Sequence, residues 1–169
     1  PYLPYSNLDD YSVCGGEVGA QAKWNNGLGA RITYAYTKEQ LAKDKDGNSI
    51  NNQYIPAREH ALNVRMDYDR QISSNYGLNI GLQGRVLSGV ENVEYKDYYD
   101  VSKGTISVEY PAYTLWKLSL VQRIGKAVKV NAALDNLFGY KPKFYYLNSP
   151  ITDGVNFQIG VSIDIDKFF

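Results

Sequence analysis

The strongest constraint on the fold lies in residues 154–169, Gly-Val-Asn-Phe-Gln-Ile-Gly-Val-Ser-Ile-Asp-Ile-Asp-Lys-Phe-Phe. Val155, Phe157, Ile159, Val161, Ile163, Ile165 and Phe169 share one parity, and Asn156, Gln158, Gly160, Ser162, Asp164 and Asp166 share the other. A period of two describes an extended strand with one apolar and one polar face. The stretch exceeds the usual strand of about 5–6 residues and reaches the roughly 9–11 that a tilted strand needs to cross hydrocarbon. It keeps its apolar parity to a final ring, Phe169, of the kind that membrane interfaces hold. The expectation is a membrane-spanning β-strand.

Composition permits this without proving it. A mean hydropathy of −0.41 and the lack of any apolar run near 18 residues exclude a transmembrane helix. They leave a transmembrane barrel open, because every second residue of a barrel strand faces water in the lumen. Eighteen basic residues balance eighteen acidic ones, so charge argues against a nucleic-acid partner. The sixteen Tyr and two Trp suit interfacial girdles and ligand-binding loops. The single Cys14 has no disulfide partner in the sequence and reads as a small apolar residue.

The same alternation recurs along the chain. Residues 12–24 place Cys14, Gly16, Val18, Ala20, Ala22 and Trp24 on one face and Glu17, Gln21 and Lys23 on the other. Asn25-Asn26-Gly27 is a strong hairpin signal and leads into a strand at 28–37. Further strands are predicted at 60–68, 76–86, 116–124 and 128–135, with the last at 154–169. The connections run short, long, short, long, short, long, the long ones being 38–58, 88–112 and 136–153. That sorting matches an outer-membrane barrel, with tight periplasmic turns on one side and extended loops outside. About seven strands make an odd count, whereas bacterial single-chain barrels have an even number. The expectation is the C-terminal portion of a larger barrel, with residues 1–11 outside the cell and the preceding strands elsewhere.

Three stretches then resemble a known family. Asp135-Asn136-Leu137-Phe138-Gly139, directly after an alternating strand, resembles the Asn-Leu-Phe element before the last extracellular loop of TonB-dependent outer-membrane receptors. Residues 154–169 resemble their closing strand, with Phe169 as assembly signal. Tyr5-Ser6-Asn7 followed by Val13-Cys14-Gly15-Gly16-Glu17 resembles their recurrent strand carrying Asn and Gly-x-Glu. The ending Lys167-Phe168-Phe169 and the loop wording Lys141-Pro142-Lys143-Phe144-Tyr145-Tyr146 look like Bacteroidetes versions.

The resemblance implies an all-β barrel of about 22 strands, of which this chain supplies about seven, with a plug domain and N-terminal strands outside it. It implies a non-enzymatic importer of a scarce nutrient in the outer membrane of a Gram-negative bacterium, energised through TonB acting on the plug. A metal chelate (ferric siderophore, haem or cobalamin) is favoured over a glycan, because Gly139-Tyr140 continues as Lys141-Pro142 and not in the Asp-Pro wording of glycan importers. Outer-membrane lipid and the rest of the receptor are the expected partners, and a surface lipoprotein or haemophore would cap the outside.

For such a receptor, ligand contacts are expected from Arg85 and from the rings of Tyr95, Tyr98, Tyr99, Tyr113, Phe144, Tyr145 and Tyr146, which can stack on a flat chelate. Tyr110 belongs to the same ring-rich loop. Glu17, Gln21, Arg65, Asp67, Arg123, Lys129, Asp164 and Asp166 are expected to line the lumen and to contact wall and plug. Each of these rings and charges has a bland alternative in loop packing or wall ion pairs. His60, the one histidine, points outward, which favours a solvated side chain over a haem ligand. Asp44-Lys45-Asp46-Gly47-Asn48 superficially suggests a surface-loop calcium site. Its Gly comes too early and the twelfth position is Ile55, so a polar turn is the better reading. One His and one Cys on different strands give no catalytic set, so no cofactor or enzymatic role is expected. The rival classes are a passive porin or structural barrel, and a soluble antiparallel β-protein.

Overall fold

Alternating side chains satisfy only half of a strand's chemistry; its backbone groups need partners as well. The computed structural model describes residues 12–40, 57–97, 99–142, 152 and 154–167. In chain order its strands are β1 (Ser12–Lys23), β2 (Leu28–Gln40), β3 (His60–Ser73), β4 (Tyr76–Leu87), β5 (Val90–Tyr95), β6 (Thr105–Tyr110), β7 (Tyr113–Ile124), β8 (Val128–Asp135) and β9 (Asn156–Ile163). Seven of them make one antiparallel sheet in the order β1-β2-β3-β4-β7-β8-β9, and β5 pairs with β6 alone. The seven expected strands are these seven.

Register decides which side chains share a face, since a slip of one residue would invert every position. Pairings such as Ile32↔Val64, Met66↔Leu82, Leu82↔Leu118, Leu118↔Leu134 and Leu134↔Phe157 carry the apolar set across the sheet without a break. That face has no protein layer over it: Val18 is 66% exposed, Met66 50% and Ile159 67%. Leu87 and Tyr110 are the buried apolar side chains among the described residues, and both sit at the loop end. Leaving such a face in water would forgo about 1.5–3 kcal/mol for each large side chain that could be covered. Acyl chains supply that cover in a barrel wall.

Tight turns at residues 24–27, 74–75 and 125–127 lie at one end of the sheet. In the first, the Gly27 amide donates to the Trp24 carbonyl at 3.2 Å, and Gly27 adopts φ +95°. That is a turn closed by a left-handed glycine, the chemistry that Asn-Asn-Gly announces. The long connections lie at the other end.

Three expectations need correction. Residues 88–112 are not wholly a loop: they hold the β5–β6 hairpin and a 3-10 turn at Val101–Lys103. The third strand runs past residue 68 to Ser73, because Asp69 and Gln71 keep the polar parity and pair with Asn79 and Gly77. The closing strand stops at Ile163 and turns through a 3-10 segment, Ile165–Lys167. The cause lies in its neighbour: β8 begins at Val128, opposite Ile163, and the chain before it is the 125–127 turn. Past Ile163 the β8 ladder ends, and after one further bond from Asp164 N–H to the Ala127 carbonyl the chain closes on itself.

Candidate lumen site and loop-end cluster

The polar parity forms rows across the sheet as continuous as those of the apolar parity. Gln21 faces Arg31, Arg31 faces Arg65, Arg65 faces Gln83 and Gln83 faces Lys117. The row continues through a 2.9 Å ion pair from Lys117 to Asp135, and Asp135 faces Asn156. One residue from each of the seven strands thus makes a single polar belt. The next row toward the loops holds Thr33, Asn63, Arg85 and Leu115.

The first row from Arg31 to Asp135 and the second row line a concavity of about 590 Å³ that reaches Asn136 and Thr152. Its lining carries Arg31, Arg65, Arg85 and Lys117 against the single carboxylate of Asp135. On the opposite face the Trp116 ring lies across Gly84, where an added Cβ would meet it at 2.5 Å, and Phe138 meets the Trp116 ring edge-on at 6.1 Å. These rings belong to an outer aromatic band with Tyr34, Tyr36 and His60. The Tyr34 hydroxyl lies 2.7 Å from His60 Nδ1, and the Tyr36 ring packs 5.2 Å from the imidazole. His60 therefore faces outward as expected, with a tyrosine partner.

Above the concavity, side chains from three long connections converge. Arg58 lies over the Tyr113 ring, 4.7 Å from its centroid, and donates to the carbonyls of Ser88 and of Pro111, the latter at 2.9 Å. Tyr113 stacks on Tyr140 at 5.3 Å. Burial pushes the Tyr140 phenol up, against the pull of the Arg58 charge. Asn136, 8% exposed and held at φ +53°, anchors the group. Its Nδ2 donates to Tyr140 O at 2.7 Å, Thr152 Oγ1 at 2.9 Å and Gly154 O at 3.0 Å, and its Oδ1 accepts from the Tyr140 amide at 2.9 Å.

The expected residues fall into distinct places. Arg85 and Arg65 line the concavity, with Asp67 3.7 Å from Arg65 Nε. Tyr113 is committed to the loop-end stack, whereas Tyr99 stands 95% exposed on the hairpin. Tyr110 is buried at 4% exposure. Tyr98, Phe144, Tyr145, Tyr146, Phe169, the side chain of Tyr95 and the Asp44–Asn48 stretch lie outside the described residues. Lower on the wall, Arg123 pairs with Asp69 at 2.7 Å. Glu17, Gln21 and Lys129 make no side-chain hydrogen bond or ion pair among the described residues. Asp164 and Asp166 belong to the chain reversal and not to a strand face; Asp164 pairs with Lys167 at 2.7 Å. Cys14 is exposed on the apolar face of β1. Sequence reasoning did not single out Arg31, Lys117, Arg58 or Tyr140 as site residues. The signal for the first two was their inward parity, which becomes informative once the register aligns them.

An antiparallel sheet with an uncovered apolar face and a charged, in-register inner face is the wall of a transmembrane β-barrel. Comparison with known proteins agrees: residues 1–137 match the family model described as TonB dependent receptor-like, beta-barrel. The chain belongs to that family, whose barrels reside in the outer membrane of Gram-negative bacteria. In fold it is similar to the FrpB iron transporter from Neisseria meningitidis (F3-3 variant), with a TM-score of 0.61 and 19% identity over 90% of this chain. The chain spans 23% of the length of that structure. No curated protein sequence matches it significantly.

Proposed function

We propose that this chain forms part of the wall of an outer-membrane receptor that imports a metal chelate (a ferric siderophore, haem or cobalamin) with energy delivered by TonB through a plug inside the barrel. The observation that carries the reading is the polar belt from Gln21 to Asn156, set back to back with an apolar face. Such a wall separates lipid from an aqueous lumen. Family membership supports active transport over passive diffusion, and the likeness to an iron transporter supports a metal cargo. The protein acts by binding and translocation, without enzymatic chemistry. Its partners are lipid, the remaining strands and plug of the receptor, TonB, and a surface lipoprotein or haemophore where one delivers the ligand.

The test is uptake of ⁵⁵Fe chelates by cells carrying the full receptor, with and without TonB. Uptake that disappears without TonB is the expected result. Uptake that persists and rises linearly with concentration would mean a passive pore.

A further inference from the structure

We infer that Arg70 and Gln122, on the lipid-facing side of the sheet near its turn end, hold the phosphodiester of an anionic phospholipid in the periplasmic leaflet. Among the described residues, the apolar parity of the seven wall strands carries no carboxylate and two permanent cations, Lys38 and Arg70. Lys38 sits at the loop end and is neutralised by Glu59 at 2.8 Å. Arg70 is exposed, with neither an ion pair nor a hydrogen bond among the described residues. A charge beside hydrocarbon is costly without a counter-charge, and no protein group on this face supplies one.

Register sets the depth of this cation. Leu28↔Tyr68 is the last pair between β2 and β3, and Arg70 stands two residues beyond it. Its Cβ lies beside the first turn, 3.4 Å from where a side chain on Gly27 would begin. Trp24 in that turn, Tyr68 and Tyr76 share the outward parity around it. Amphipathic rings so placed mark the boundary between acyl chains and headgroups. Tight turns mark the periplasmic end of such a barrel, so the headgroups at this boundary are those of the periplasmic leaflet.

The same row supplies a second polar group. Leu78 faces Arg70, and Gln122 faces Leu78. Gln122 interrupts the apolar parity of β7 between Leu120 and Ile124, and its amide has no hydrogen bond among the described residues. Neighbouring strands lie about 4.8 Å apart, so the two backbones are about 10 Å apart across Leu78. Two long side chains across such a gap can both reach one phosphate above Leu78. The guanidinium matches phosphate oxygens through two parallel N–H···O bonds, and the amide N–H adds another. With no carboxylate on this face to receive an ammonium group, a headgroup lacking one, such as phosphatidylglycerol, is favoured over a zwitterionic headgroup.

The test titrates phosphatidylglycerol, phosphatidylethanolamine or an uncharged galactosyl diacylglycerol into the delipidated full receptor in nonionic micelles, with bound lipids counted by native mass spectrometry. Arg70→Gln is expected to weaken one phosphatidylglycerol site at least tenfold, as loss of a charge-assisted pair produces. Gln122→Leu should weaken the same site about threefold, and Arg70→Lys should recover part of the arginine loss. Galactolipid binding should hold throughout, as should the urea midpoint in lipid-free micelles. Lys129→Gln removes a charge from the opposite face, where Lys129 pairs in register with Arg123 and Ser162, and should leave lipid binding unchanged. Unchanged phosphatidylglycerol binding in either Arg70→Gln or Gln122→Leu would overturn the proposal and leave Arg70 merely hydrated at the rim. Equal losses of the galactolipid would overturn it in favour of acyl packing, and equal losses in Lys129→Gln in favour of net charge. A site that prefers phosphatidylethanolamine would overturn the anionic headgroup.

Discussion

The two ends of the sheet are held by different physics. At the turn end each connection closes on itself within three or four residues, and adjacent hairpins are stitched by single backbone bonds, Asp69 N–H to Gly27 O at 2.8 Å and Gly125 N–H to Asn75 O at 2.7 Å. At the loop end the decisive contacts are remote in sequence. Arg58 reaches Pro111, 53 residues on, and Asn136 reaches Thr152, 16 residues on. Closing longer loops costs more chain entropy, so a few side chains there must each hold more structure. The turn end is thus distributed and local, whereas the loop end depends on two hubs.

Asn136→Ala is therefore expected to have the largest effect of any single substitution considered. It removes the donor for three acceptors and the acceptor for the Tyr140 amide in a buried site. The amide has two N–H groups, so the three acceptors share two donors; at about 1 kcal/mol for each of three bonds, with a further cost for groups left unpaired, the loss is about 3–5 kcal/mol. The urea midpoint of the full receptor in micelles would measure it, and a loss no greater than that of a turn glycine would break the comparison. Arg58→Ala comes next. It removes a ring contact worth about 0.5–1 kcal/mol when exposed and charge-assisted bonds to two carbonyls, for an expected loss of about 2 kcal/mol. Because this hub joins connections instead of strands, limited proteolysis within the loops should accelerate more than the global midpoint falls.

The turn end offers a paired control. Gly27 sits at φ +95°, and an added Cβ would run into the Asp69 carbonyl oxygen. Gly125 sits at φ +61° with nothing near its missing Cβ. Gly27→Ala should cost about 1–3 kcal/mol through strain and contact together. Gly125→Asn should cost only a few tenths, since Asn tolerates the left-handed region. Equal costs at the two sites would show that the close approach of Gly27 to the Asp69 carbonyl adds nothing.

Legibility followed the same division. Period-two alternation located all seven wall strands and their faces, because a residue's side of the sheet depends only on its parity. Asn25-Asn26-Gly27 announced its turn because a positive φ demands Gly. The β5–β6 hairpin was missed because its alternation is diluted: Glu91, Asn92 and Glu94 interrupt the apolar set, and the sheet that would explain it has only two strands. The last strand was drawn too long because parity continues through Ile165 although the partner's ladder stops at Val128. Arg85 and Arg65 were legible as inward charges. Their meeting with Arg31 was not, since it depends on pairing partners tens of residues away. Asn136 was noticed for its motif, yet what its amide holds could be seen only from the folded loop end.

The smallest expected effect belongs to the tip of the β5–β6 hairpin. Asp97 accepts a hydrogen bond from Lys103 Nζ at 2.6 Å and another from the Tyr99 amide at 3.0 Å. The Lys103 hydrogen bond, aided by the backbone amides, holds the Asp97 carboxyl below the ordinary carboxylate value. A depressed carboxylate contributes its stabilisation in full above its ordinary pKa and loses it as pH falls through the lowered value. Solvent surrounds the pair, so the global midpoint should not follow this titration. The Tyr99 amide resonance should follow it, moving below the usual carboxylate range, and in Lys103→Met the transition should shift up toward the ordinary Asp value. A global midpoint that tracked the same pH would show that the hairpin braces the loop end, making it a third hub beside Arg58 and Asn136.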